Sequence, residues 1–208
     1  MGRYTGPVCR LCRRDGRKLF LKGTRCDTSK CALERRKSAP GMHGMRRGKL
    51  TDFGLHLREK QKVKHFYGVL ERQFRRYFAR AERSAGNTGK VLMSLLERRL
   101  DNVVYRLGFA LSRAHARQLV RHGHITVNGR RVDLPNYEVH VGDVISVKNR
   151  PKTLEIVKAA RETNRQAVPD FLSRIDGEVP EGHVVRLPDI MDVSIPVEPQ
   201  LIIEFCSK

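Results

Sequence analysis

"SRAHARQLVRHGHITVNGRRV", Ser112 to Val132, joins two kinds of local structure at one glycine. Ser112 is a good N-cap, and Arg113 to about His122 spell a short helix. Ala116, Leu119 and Val120 form its apolar side, while Arg113, Arg117 and Arg121 recur every fourth residue on another. Gly123 suits the left-handed position that ends a helix. "HITV" then reads as a strand, and Asn128-Gly129 tolerates the positive φ of a two-residue hairpin. Arg130 and Arg131 leave that turn, and "VGDVISV", Val141 to Val147, reads as a further strand. The stretch predicts a small α+β unit with a basic helix beside a basic hairpin.

The flanks read mostly as helix. Val91 to Leu107 carries leucines and valines at helical spacing and predicts one apolar helix, stopped by Gly108. Before it, Val69 to Ala85 predicts a helix with Leu70, Phe74, Tyr77, Phe78 and Ala81 in one stripe. Arg72, Arg75, Arg76, Arg80 and Arg83 lie off that stripe, as a solvated face or a phosphate-binding one. Thr51 or Asp52 can cap a third helix reaching about Phe66, with "REKQKVKH" as its basic face. On the other side, Pro151 opens "PKTLEIVKAARETNR", a helix with Leu154, Val157 and Ala160 toward the core. "HVVRLP" and "LIIEF" predict short strands, with Cys206 a packed apolar residue on the second.

Charge narrows the partner. The 208 residues carry 42 Lys and Arg against 22 Asp and Glu, a formal net charge of +20. Such a surface attracts polyanions, nucleic acid first. No apolar run approaches the ~18–20 residues of a membrane helix, and Met1 to Arg10 lacks the apolar core of a secretory signal. A reduced cytoplasmic setting is expected. The excess is uneven: residues 1–50 hold 15 basic and 3 acidic side chains, and residues 151–208 hold 7 and 10. The polyanion is thus expected on the first three quarters, with the last quarter serving the core or facing protein. Six per cent aromatics and no Trp argue against a stacking platform for single strands.

Four of five cysteines fall early, as Cys9-x2-Cys12-x13-Cys26-x4-Cys31. Two close pairs across a basic loop let a segment poor in apolar side chains fold around one ion. One tetrahedral zinc is the main reading. An iron–sulfur cluster uses the same ligands, and disulfides fit poorly with a reduced compartment. Residues 32–50 have two Pro/Gly breaks and no period, so an extended basic segment is expected there. With four cysteines filling a tetrahedron, His43 is read as a loop contact to RNA.

The Ser112–Val147 stretch resembles the small RNA-binding module named after ribosomal small-subunit protein four. That module also occurs in pseudouridine synthases and in free-standing RNA-binding stress factors. The remaining motifs, "MGRYTGPVCRLCRRDG", "RCDTSKCALERRK", "PGMHG", "LREKQKVKHFYGVLERQFRRYF" and "LLERRLDNVVYRLGFA", resemble the bacterial type of that ribosomal family along the whole chain. The resemblance implies a non-enzymatic constituent of the small ribosomal subunit. It would be a primary binder of small-subunit ribosomal RNA that nucleates assembly of the subunit body. It also implies a position near the incoming mRNA, a neighbour in small-subunit protein five, a part in translational accuracy, and in some members repression of their own mRNA. A free-standing RNA-binding regulator is the alternative. An enzyme would need a catalytic pairing or phosphate loop, and none stands out.

The expected fold is α+β: a metal-stapled segment (1–50), a helical RNA-binding domain (51–97) joined by the C-terminal tail, the embedded module of two basic helices on a short antiparallel sheet (98–160), and a helix/strand tail (161–208). Candidate RNA ligands are Lys22, Arg35, Arg36, Lys37, His43, Arg46, Arg47, Lys49, Arg58, Lys62, Arg72, Arg75 and Arg76, then Arg113, Arg117, Arg121, His124, Asn128, Arg130 and Arg131. On this reading, replacing Arg113, Arg117 and Arg121 together weakens RNA binding without unfolding the chain.

Overall fold

The structure is a computed structural model describing residues 2–44, 49–164 and 167–207. Among these, the helices are α1 (Cys9–Asp15), α2 (Ala32–Arg35), α3 (Asp52–Phe66), α4 (Glu71–Arg83), α5 (Thr88–Glu97), α6 (Leu100–Arg106), α7 (Arg113–Arg121), α8 (Pro151–Thr163) and α9 (Pro199–Cys206). The strands are β1 (Ile125–Val127), β2 (Arg130–Arg131), β3 (Val144–Val147), β4 (Leu172–Ile175) and β5 (Glu181–Val184). The chain makes two compact units, Met1–Leu92 with Ile195–Lys208, and Met93–Ser194. Residues 161–208 therefore do not act as one tail: β4 and β5 serve the second unit and α9 the first.

In the first unit Thr51 caps α3, its side chain accepting the Gly54 N–H at 3.2 Å. Phe74, Tyr77, Phe78 and Ala81 form the buried stripe of α4. Leu70 does not join it, because it sits at the N-cap in extended backbone and is 42% exposed. The segment "LIIEF" is helix, not strand. A short apolar run fits either period, but Pro199 at the first turn and a groove along α3 favour the helix. Ile202 is fully buried. The Phe205 ring lies 5.3 Å from that of Phe53 and 4.6 Å beneath the Lys60 ammonium. Glu204 pairs with His56 at 3.4 Å, and the Glu198 N–H donates to Glu59 at 2.8 Å.

Glu71, in the first turn of α4, ties this helix to α3. Lys60 and Lys64 reach it at 2.7 and 3.1 Å. Burial works to raise its pKa, but the two lysine hydrogen bonds hold the carboxyl down at about 2. The stabilisation is therefore full above the ordinary value of 4.5 and is lost as pH falls toward 2. Glu71→Gln should flatten that acid limb of the stability curve, read by urea titrations from about pH 6 down to about pH 2.5. An unchanged limb would mean that the ties contribute nothing.

The second unit is one antiparallel sheet, in the order β2-β1-β3-β5-β4, packed with helices. Ser112 caps α7, accepting the His115 N–H at 3.2 Å. Gly123 takes φ +70°, and the N–H groups of Gly123 and His124 close the helix end on the Val120 and Leu119 carbonyls. Asn128 and Gly129, both at positive φ, turn β1 into β2 with Val127 opposite Arg130. Val103, Val104, Leu107, Ala116, Val120, Ile125, Ile145 and Val157 are among the core.

The expected single helix over Val91–Leu107 is broken. Arg99 is extended (φ −65°, ψ 133°), and residues 98–101 instead exchange backbone hydrogen bonds with Pro135, Tyr137 and Val139. The break is held by a buried ion pair. Arg99, with no exposed surface, binds Asp101 at 2.6 and 3.0 Å. Hydrophobic period alone continues through this point, so only the partner loop reveals it. The strand expected at "HVVRLP" ends at Val184, and the one expected from Val141 begins at Val144.

Candidate nucleic-acid interface and cysteine cavity

The early cysteines converge. Cys9 and Cys12 are one turn apart on α1, Cys26 lies in a short 3-10 turn (Gly23–Asp27), and Cys31 immediately precedes α2. All four line one cavity of about 20 Å³ with Val8, Leu21, Lys22, Arg25, Ala32 and Leu33. Cys12, Cys26 and Cys31 are buried, and all four are free thiols. The backbone N–H of Lys22 points at Cys26 Sγ, 3.4 Å away, and that of Leu19 at the Cys12 sulfur. Such N–H groups favour the thiolate. Burial outweighs them: it pushes the Cys12 thiol up to about 11, with the other three cysteines adding to the rise, and raises Cys26 as well. Among the described residues no set of three or more His, Cys, Asp or Glu is arranged to hold a metal ion. The donor set of four soft sulfurs on one small cavity nevertheless matches zinc chemistry.

Basic side chains of the first unit divide into exposed and committed ones. Lys22, Arg35, Arg36, Lys37, His43, Lys49, Arg58, Arg72, Arg75 and Arg76 are exposed. Arg46 and Arg47 lie outside the described residues. Lys62 is withdrawn from the expected RNA face: it is 9% exposed, paired with Glu59 at 2.7 Å and donating to the Pro196 carbonyl at 2.8 Å. Arg13 likewise serves the fold, donating to the Ser38 and Ala39 carbonyls and so pinning the segment after α2 onto α1. In the same segment, residues 32–35 form the short α2 rather than extended chain.

In the second unit the arginine row of α7 breaks up. Arg113 is 7% exposed, donates to Asn102 Oδ1 at 2.8 Å and lies 4.5 Å over the Tyr105 ring. Arg117 is half-buried and reaches Asp101 at 3.4 Å. Of the three, Arg121 alone is left exposed. The cause is the α6–α7 contact, which turns the first two arginines onto Asp101 and Asn102. Asn128 is also committed, its amide linking the Asp143 carboxylate and the Val144 N–H across the turn.

A different cluster replaces that row. His124, bonded to Thr153 Oγ1 at 3.0 Å, has its pKa lowered first by burial and then by the charges of His122, Arg150, Lys148 and Arg131. These side chains come from the end of α7, from β2, and from the connection between β3 and α8. Gly123 sits beneath it. The backbone there is left-handed, φ +70°, which favours glycine, and a Cβ would displace the flexible Arg131 guanidinium. His122, Lys148 and Arg150 are not among the residues that sequence reasoning singles out. The tripeptide Lys148-Asn149-Arg150 just before a helix-opening proline is the signal that could have found two of them.

The family model described as "Ribosomal protein S4/S9 N-terminal domain" matches residues 3–97, and that of the "S4 domain" matches 98–145. The chain is 56% identical over 208 residues to the small ribosomal subunit protein uS4 of Thermodesulfovibrio yellowstonii, covering both chains completely. It is equally identical over 210 residues to that of Thermus thermophilus, again over all of each chain. The chain belongs to the uS4 family. The two family models meet between Glu97 and Arg98, where α5 gives way to the extended Arg99. The basic cluster around His124 rises from elements of the second model and from residues just beyond it. Among the described residues no helix is long and apolar enough to cross a membrane.

Proposed function

We propose that this chain is a structural constituent of the small ribosomal subunit, working in the cytoplasm and not as an enzyme. It binds small-subunit ribosomal RNA early, nucleates assembly of the subunit body and contributes to translational accuracy beside small-subunit protein five, where mRNA enters. The observation that carries this reading is 56% identity to uS4 proteins across the whole length. The physics agrees in kind: rigid basic faces suit folded RNA, which is read through shape, phosphates and 2′-hydroxyls. Sedimentation tests it. The protein should run with the small subunit, and recovery in ribosome-free fractions alone would overturn the proposal. If about ten phosphates are contacted, log affinity should fall against log salt with a slope of roughly −7 to −9. A filter-binding slope shallower than about −3 would remove the electrostatic account.

Cys9, Cys12, Cys26 and Cys31 would hold one zinc ion, with an iron–sulfur cluster the alternative for the same sulfurs. The ion would cross-link a segment whose only fully buried large apolar side chain among the described residues 2–44 is Leu19. Native protein should carry about one equivalent of zinc by elemental analysis. Cys9→Ser should lose the metal and make residues 1–50 protease-sensitive. Metal-free native protein, or unchanged proteolysis in the variant, would refute the site.

A further inference from the structure

One cavity is used by none of the functions above. It lies wholly in the first unit, between the end of α1, the middle of α3 and the strap leading into α9. It measures about 250 Å³, many times a water molecule's share of the liquid, about 30 Å³. Its wall alternates in charge, with Asp15, Glu59 and Glu198 against Arg17, Arg58 and Lys62.

These six differ in freedom, and the Glu198 side chain is exposed. Lys62 is held by Glu59 and the Pro196 carbonyl. Asp15, its side chain 3% exposed, engages His65 through Oδ2 at 3.0 Å. Glu59 takes Lys62 and the Glu198 N–H on Oε1. An ionised carboxylate accepts at about four sites, so Asp15 and Glu59 both keep acceptor capacity for a donor entering the cavity. Arg17 and Arg58 are exposed, and their side chains have no hydrogen-bond or ion-pair partner among the described residues.

The occupant must therefore donate hydrogen bonds at one end and carry negative charge at the other. A bare phosphate would meet the carboxylates. A cationic side chain from another protein would meet Arg17 and Arg58. A nucleotide meets both demands, with its phosphate on the arginines and its base edge on the carboxylates. Guanine suits best, because its Watson–Crick edge carries two adjacent donors, N1–H and N2–H, for the acceptors left without a donor, Glu59 Oε2 and Asp15 Oδ1. Unstacked bases in loops and bulges are what proteins read on RNA through such edges. The geometry points to a site for one unstacked guanine nucleotide of the ribosomal RNA, its base edge on Glu59 and Asp15 and its phosphate on Arg17 and Arg58. This rests on the reading that the chain binds that RNA.

The test is a guanine-specific footprint. The full chain is bound to small-subunit ribosomal RNA, which is then modified with kethoxal, a reagent for guanine N1 and N2. With wild-type protein several guanines should be shielded. The R17A/R58A double variant and, separately, Glu59→Gln should return one and the same guanine to its free reactivity and leave the rest of the footprint intact. Inosine at that position, lacking the 2-amino group, should weaken wild-type binding about ten-fold. If Glu59→Gln fails to fold by circular dichroism, the arginine variant decides alone, since both side chains are exposed. Identical footprints for wild type and R17A/R58A overturn the site while leaving RNA binding in place. No footprint with wild-type protein would overturn the RNA-binding reading and this one with it.

Discussion

Ending the chain at Glu198, so that α9 is lost, should collapse the cooperative unfolding of the first unit while the second unit keeps its helical signal. α9 supplies Ile202, fully buried, and the half-buried Leu201, Ile203 and Phe205. A fully buried side chain of this size is worth about 1.5–3 kcal/mol. One full and three partial burials, with the Phe205 ring contacts, make a loss on the order of 5 kcal/mol, comparable with the whole stability of a small domain. Lys60 of α3, itself buried, also loses the Phe205 ring that lies against its ammonium. The chain has no Trp, so circular dichroism and hydrogen exchange at α3 are the suitable probes. Exchange at α3 as slow as in the intact chain would show that the helix is held by other contacts. A corollary is that the first unit cannot close until α9 has been synthesised.

Arg113→Ala should destabilise the second unit rather than merely weaken RNA binding. The substitution leaves Asn102 Oδ1 without its 2.8 Å donor in a buried setting and removes the cation from the Tyr105 ring. An unsatisfied buried acceptor costs about 1–3 kcal/mol and a desolvated cation–π contact about 1–2 kcal/mol, so a loss of about 3 kcal/mol is expected. Replacing exposed Arg121, Arg131 and Arg150 together should do the opposite. Affinity for small-subunit ribosomal RNA should drop, with the salt slope shallower by about two to three, and the urea midpoint should hardly move. The paired measurement discriminates. If Arg113→Ala weakens binding at unchanged stability, it belongs to the RNA face after all. This reverses the expectation from helical spacing, under which Arg113, Arg117 and Arg121 act alike.

That reversal marks how far sequence reaches here. Period and capping are local, and where they govern the outcome they are legible. Ser112, Gly123 and Asn128-Gly129 set the ends of α7 and the β1–β2 turn because cap and turn preferences depend on a few neighbouring residues. The convergence of Cys9, Cys12, Cys26 and Cys31 on one cavity matches the reading of two close pairs around one ion, although spacing holds only the members of each pair near one another. The excess of cations along the chain points to a polyanion before any fold is known. None of these tells which cations are free to meet it.

Charge and spacing by themselves determined the class of partner, the α+β module around Gly123 and the closeness of the cysteines within each pair. Tertiary structure alone decided which arginines stay exposed and which are struts. Arg99, Arg113 and Arg117 are as basic as Arg121, but Asp101, Asn102 and Tyr105 face them from α6 and take them out of solvent. It also decided that "LIIEF" is a helix, because the α3 groove offers a 3.6-residue stripe something to bury against. Both outcomes depend on residues far away in sequence. A side chain's pairing and a short apolar run's period are settled by what is packed opposite, and that partner is not written locally.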